Sequence, residues 1–184
     1  MPTIHTPTVE IYEERYLLFH NVRLLSSFLS NPYVSSKHGY RTLRVTFLFP
    51  IEPKERVQPL WDHLGHYCMS HGILIDPSHM PVRRGDIATN LHDQLLVSAK
   101  NTVESPPTLL DRGGAEIQIH ESYPTFQPGS IVKFLGSLYA VRNKNVCYCA
   151  LSIAAMQFVA PGEKPSTAVR SPVQVAHEAF KIAS

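Results

Sequence analysis

The sequence predicts a mainly β chain: an antiparallel β-barrel with one packed α-helix and a long C-terminal β-hairpin. Three observations carry that prediction. The stretch 128–164 holds two long apolar, β-prone runs, residues 130–142 and 146–159, around the polar link Asn143-Lys144-Asn145. That is a hairpin signature, and runs of this length suit a strongly curved sheet better than a small flat one. Ahead of the C-terminal tail a single helical stripe stands out: Leu60, Leu64, Tyr67, Cys68 and His71 recur at i, i+4, i+7, i+8 and i+11. Fifteen prolines are scattered along the chain, which argues for many loops and against an all-helical fold.

The elements follow in order. Residues 1–15 are polar and predict a loose arm or a short edge strand. Residues 21–28 predict the first barrel strand, with Val22, Leu24 and Phe28 at period two on one face. Asn31-Pro32 opens a loop that runs through Gly39. Residues 40–49 are the clearest early strand: Leu43, Val45, Phe47 and Phe49 fall on one face, Tyr40, Thr42, Arg44 and Thr46 on the other. The helix is predicted over 56–71, with Pro59 near its start and Gly72 as its C-terminal cap. Residues 73–93 read as loop, with Arg83-Arg84-Gly85-Asp86 at the centre. Strands follow at 94–101 and 108–112, then a Gly113-Gly114 turn, an alternating segment at 115–120 and an aromatic loop at 123–128. After the hairpin the chain reads as a domain over 1–164 and a flexible tail over 165–184, with room for a short helix at 172–182.

Composition bounds the function. A chain of 184 residues fits one domain with a real core. The net charge is only +2, so any nucleic-acid site must be a local patch. Cys147 and Cys149 share one strand face, and the three cysteines predict reduced thiols in a cytoplasmic protein. The N-terminus lacks the basic and apolar regions of a signal peptide. No apolar run approaches the ~18 residues of a membrane helix.

Catalytic motifs are absent: there is no Gly-x-Ser-x-Gly, no Walker-type phosphate loop and no dinucleotide fingerprint. His63, His66, Cys68 and His71 are the densest cluster of metal-ligand types. On a helix they split between two sides, so solvated and half-buried histidines are the plainer reading. Cys147-Tyr148-Cys149 lies in an apolar strand and reads as core rather than as a redox pair. Arg84-Gly85-Asp86 reads as a turn closed by the Asp side chain. No metal or cofactor is called for.

The basic and aromatic residues point elsewhere. Arg44 shares a strand face with Tyr40, and Lys133 shares one with Tyr139. Arg142 and Lys144 sit at the hairpin tip, and Arg41, Lys100 and Arg112 lie at strand ends or on adjacent strands. A single-strand binder needs cations for phosphates and rings for bases. The competing explanation is that Arg, Lys, Tyr and Thr suit any half-wet strand face.

Taken together, these segments resemble the single-stranded DNA-binding proteins of tailed bacteriophages over roughly residues 20–164. The resemblance rests on YRTLRVTFLFP at 40–50, the helix, Gly85-Asp86 before LLVSAKN at 95–101, Pro-x-Leu-Leu-Asp-Arg at 107–112, the aromatic loop at 123–129 and the closing hairpin. It implies an OB-fold-like barrel that coats single-stranded DNA in phage replication or recombination, without catalysis or sequence preference, in the host cytoplasm. It also implies a binding groove formed by Tyr40, Arg41, Arg44, Lys100, Arg112, Lys133, Tyr139, Arg142 and Lys144. Single-stranded DNA is the implied partner, with replication or recombination proteins beside it. Edge strands in an open barrel leave room for a homodimer, though no residue demands one. One departure is the tail, VQVAHEAFKIAS, which has Glu178 as its only acid where several such phage proteins end in an acidic tail. Partners are then recruited differently, or the chain is truncated, or its function has drifted. Two rivals remain: a structural or assembly barrel acting through protein contacts, and a metal-dependent hydrolase or nuclease using residues 63–71.

Overall fold

Strict alternation builds the centre of the sheet. In β3 (Arg41–Pro50), Leu43, Val45, Phe47 and Phe49 point inward and are buried, as the sequence predicts. The structure, a computed structural model, describes residues 6–182. The first five residues of the predicted arm and the last two of the tail lie outside that range.

The other strands are β1 (Thr8–Tyr12), β2 (Tyr16–Val34), β4 (Val82–Arg84), β5 (Gln94–Thr102), β6 (Thr108–Leu110), β7 (Ile131–Arg142) and β8 (Cys147–Ala160). They form one sheet in the order β4-β5-β3-β2-β7-β8-β6, with β1 paired to β2. All pairings are antiparallel except β6 with β8. Following the directions around, β5 and β8 run parallel where the sheet curls to meet itself. There the Asn101 side chain stands in for a strand: its amide donates to the Ile153 carbonyl at 2.8 Å and its oxygen accepts from the Ile153 N–H at 2.7 Å. The result is the predicted OB-fold-like barrel with its long hairpin. The hairpin tip is closed by Asn143, whose N–H donates to the Val146 carbonyl and whose side-chain oxygen accepts from the Val146 N–H at 2.8 Å.

The core is a cluster of rings and aliphatics. Phe47 sits 4.9 Å from Phe19 and 4.8 Å from Phe134, ring centre to ring centre, in edge and tilted geometries that suit aromatic quadrupoles. One helix, α1 (Lys54–Ser70), adds Val57, Leu60, Leu64, Tyr67 and Cys68 to the same cluster. It starts earlier than predicted, so Pro59 lies inside it and leaves the Glu55 carbonyl without its intrahelical partner. Burial of Leu60 and Leu64 holds the helix across that gap, at about 1.5–3 kcal/mol per buried side chain. At the far end Gly72 adopts φ +62°, its N–H donates to Met69 and the Ile73 N–H donates to Cys68. That is the predicted glycine cap.

Several predictions need correction. β2 is much longer than residues 21–28, and it is irregular. An extra residue near Asn21, at φ 54°, and another at Leu25 shift its register against β7 and β3. Each bulge flips the inward face. Val22 and Leu24 are therefore buried, but Phe28 turns outward and Leu29 takes the core position. The predicted loop 73–93 contains β4, which pairs with β5. β6 ends at Leu110, so Asp111 and Arg112 belong to the turn. Residues 115–120 make a single bridge at Glu116 and enter a 3-10 turn at Ile119–Glu121.

The Arg84-Gly85-Asp86 turn closes as predicted, with the Asp86 carboxylate accepting from the Ala88 N–H at 2.8 Å. Gly85 is needed there, because a Cβ would lie 1.8 Å from the Leu91 carbonyl oxygen. The same loop receives the chain's end. The Arg170 N–H donates to Ala88 and the Asn90 N–H to Ala168, at 2.7 and 3.2 Å. A second helix, α2 (Pro172–Ile182), follows. Among the described residues no helix is long and apolar enough to cross a membrane.

Candidate functional site

Register decides which side chains meet on the outer face of β3 and β5. Thr42 lies opposite Thr102, Arg44 opposite Lys100, and Thr46 opposite Ser98. Like charges directly opposite on a strand pair repel, so the Arg44–Lys100 pair needs compensation. Among the described residues neither has a carboxylate partner. Each lies against a ring instead. The Arg44 guanidinium carbon is 4.1 Å from the Tyr33 ring centre, and its Nε donates to Thr42 Oγ1 at 2.8 Å. The Lys100 ammonium is 5.8 Å from the Tyr148 ring centre.

These residues line an open groove of about 350 Å³. Its floor includes Thr46 and Ser98, whose hydroxyls are 3.0 Å apart. One wall is Phe28 and Tyr33 of β2, edge to face at 5.7 Å. The other is Tyr148 of β8 beside His79, at 5.5 Å, with Arg83 of β4 nearby. A second groove of about 510 Å³ is lined by Tyr40, Arg41, Lys100, Glu104 and Tyr139, among others. Lys100 lines both, so the two adjoin at that side chain. The Tyr40 ring is 71% exposed, whereas Tyr139 is half-buried. Burial, then the neighbouring Tyr148 hydroxyl, pushes the Tyr139 phenol above its ordinary range.

The structure thus brings together Tyr40, Arg41, Arg44, Lys100 and Tyr139. Arg142 ends β7, and its guanidinium donates to the His71 carbonyl, tying the hairpin to the end of α1. Lys144 is exposed in the hairpin tip. Lys133 shares the outer face of β7 with Tyr139, but six residues of strand separate them, about 20 Å. Lys133 faces Gln157 across the hairpin, and Gln157 donates to the carbonyl of Asp111 at 3.4 Å. Lys133 and Arg112 therefore flank a separate region around β6 and line neither groove.

Sequence reading missed Phe28, Tyr33, Tyr148, His79 and Arg83. Tyr148 had a signal: it alternates with Cys147 and Cys149, so a core for those cysteines puts the Tyr148 ring outside. Phe28 had none, because the bulge at Leu25 is invisible in one strand alone.

His71, Cys68 and Cys149 have other surroundings, while His63 Nε2 is buried without a hydrogen-bond partner. The His71 ring stacks on Tyr67 at 4.1 Å, and its Nδ1 lies 2.9 Å from the Tyr67 carbonyl. Cys68 and Cys149 are buried. Burial, then the Cys68 thiol, pushes Cys149 up to about 12. Among the described residues no three His, Cys, Asp or Glu side chains converge on a metal position.

No protein-family model matches the chain, and no curated protein sequence matches it. Solved structures do match. The single-stranded DNA-binding protein from bacteriophage Enc34, in a C-terminally truncated form, aligns with a TM-score of 0.71 at 16% identity, over 87% of this chain and 97% of its own. The same phage protein in complex with single-stranded DNA aligns with a TM-score of 0.70 at 14% identity, over 90% and 100% of the two chains. At such identities the likeness is one of fold.

Proposed function

We propose that this chain binds single-stranded DNA along the two adjoining grooves. The observation that carries the proposal is the Arg44–Lys100 pair: two cations side by side, neither paired with a carboxylate among the described residues, set against rings where the grooves adjoin. Phosphates would meet these cations and Arg41. Bases would stack on Phe28, Tyr33 and Tyr148 on one side and on Tyr40 and Tyr139 on the other. The floor hydroxyls of Thr46 and Ser98 both donate and accept, so they tolerate any base edge. Binding on this plan has little sequence preference and needs no catalysis. Arg142 and Lys144 extend the cationic path along the hairpin. Lys133 and Arg112 would meet only DNA that continues beyond the grooves.

The likeness in fold to a phage protein solved with single-stranded DNA supports the reading. It suggests a role in coating DNA during phage replication or recombination, with proteins of those processes as partners. The test is fluorescence anisotropy with a labelled oligothymidine of about 30 nucleotides at two salt concentrations. Tight binding that weakens with salt is expected. No binding at low salt would overturn the proposal and favour an assembly role.

A further inference from the structure

We infer that His79 is a proton-dependent contact for the DNA strand, a residue that adds a third cation to the Tyr148 side of the groove when its imidazole is protonated. The inference rests on the proposed single-stranded DNA site and assigns that site a pH response.

His79 lies in the loop between α1 and β4, and its side chain is 45% exposed. It lines the same groove as Arg44 and Lys100. Its ring stands 5.5 Å from Tyr148, tilted by 34°, so the two rings form one continuous wall. Its Nδ1 is 2.7 Å from the Asp76 carboxylate. Asp76 is built to stay ionised: it accepts the Ser78 hydroxyl at 2.7 Å and the Ser78 N–H at 2.9 Å. The Ser78 hydroxyl, then His79, hold the Asp76 carboxyl down at about 2. An ionised carboxylate has no proton to give, so Nδ1 must carry the hydrogen of that bond.

That fixes the tautomer. The proton that comes and goes is the one on Nε2, and a protonated Nε2 is a charged donor suited to a phosphate oxygen. Without it, Nε2 is a neutral acceptor that offers a phosphate nothing. The charged groups around the ring come from every neighbouring element. Asp76 lies on its own loop, and Lys100 of β5, Arg83 of β4 and Arg44 of β3 line the same groove. Tyr148 and Cys149 of β8 line the groove on that side. Bound DNA therefore favours protonation of His79, and protonation favours bound DNA, as linkage requires.

The experiment measures oligothymidine affinity at about pH 6 and about pH 8, at two salt concentrations, for the full chain, His79→Gln, Asp76→Asn and His38→Gln. His38 is the control, because its ring lies 6.0 Å from Tyr40 beside the other groove. For the unaltered chain we expect affinity about threefold to fivefold higher at the lower pH, the size of one exposed ion pair. The salt slope should also steepen there by about 0.7, the value for one more phosphate on a single strand. His79→Gln should lose both effects, the pH dependence of the affinity and the steeper slope at the lower pH. Asp76→Asn should move the change to lower pH, and His38→Gln should retain it. The inference is overturned if His79→Gln titrates like the unaltered chain, or if His38→Gln removes the effect. Absence of any DNA binding by the unaltered chain would overturn both this inference and the proposed function, whereas salt-sensitive binding that ignores pH overturns this one alone.

Discussion

At the scale of the residue, Arg44 does two jobs that can be separated. On the proposed function its charge would meet a phosphate, while its guanidinium lies over the Tyr33 ring. Arg44→Ala should weaken oligothymidine binding across all sequences and flatten the salt slope by about 0.7. Arg44→Lys should restore the slope but only part of the affinity, because an ammonium lacks the flat, weakly hydrated plane of the guanidinium. Tyr148→Ala should leave the slope unchanged and cost about 1–3 kcal/mol, the worth of one stacked base, in an anisotropy titration. The same strand carries a thiol with the opposite character. Cys149 stands at about 12, well above an ordinary thiol, because it is buried. The folded state thus favours the neutral form, so this contribution to stability is whole below the ordinary thiol range and is lost as pH climbs towards 12. Urea unfolding midpoints should hold steady up to mildly alkaline pH and then fall, less so in Cys149→Ala. In the native protein at neutral pH, a thiol reagent should modify half-buried Cys147 ahead of Cys149 and Cys68.

At the scale of the element, the barrel depends on one carboxamide. Asn101 supplies both partners of Ile153 where β5 and β8 meet, and it also donates to the Ser105 carbonyl at 2.8 Å. Asn101→Ala strands a buried donor and acceptor, each worth about 1–3 kcal/mol when left unpaired. Thermal unfolding should shift down, and the Ile153 amide should exchange faster while amides in α1 do not. Asn101→Asp should show whether the donor matters, since a carboxylate can accept from Ile153 but cannot donate. This residue sits in LLVSAKN, a segment easily read as a strand, yet its role could not be read there. The alternation of β3, the stripe of α1 with its Gly72 cap, and the two arms of the hairpin were legible because each is a property of one segment against water. The bulges at Asn21 and Leu25, the short β4 and the seam at Asn101 are properties of two segments in register. Phe28 shows the consequence: its spacing from Leu24 assigned it to the core, and its partner strand turned it into a groove wall opposite Arg44. Of the proposed site, Arg44, Lys100, Tyr40, Arg41 and Tyr139 were legible as cations and rings on strand faces, while His79 and Arg83 arrive from a loop and an edge that only the fold brings near.

At the scale of the whole molecule, the weak net charge of +2 would make selectivity, on the proposed function, a matter of shape. A strongly basic protein would hold duplex and single strand alike through phosphates alone. Here the cations are few and lie between ring walls, so a strand gains most when its bases are free to enter. A duplex presents the same phosphates but keeps its base faces stacked, and it can use only the cations at the groove mouth. Unlabelled oligothymidine should therefore displace a labelled single strand far more effectively than its matching duplex at about 150 mM salt, where exposed charges beyond about 8 Å are screened. The gap should shrink in a Tyr33→Ala/Tyr148→Ala double variant, because that variant retains the phosphate contacts and loses the stacking that tells the two forms apart. Equal competition by duplex and single strand in the unaltered chain would mean that phosphates dominate and that the rings serve packing. No binding of either form, with a stable oligomer in solution, would move the long hairpin from DNA binding to assembly.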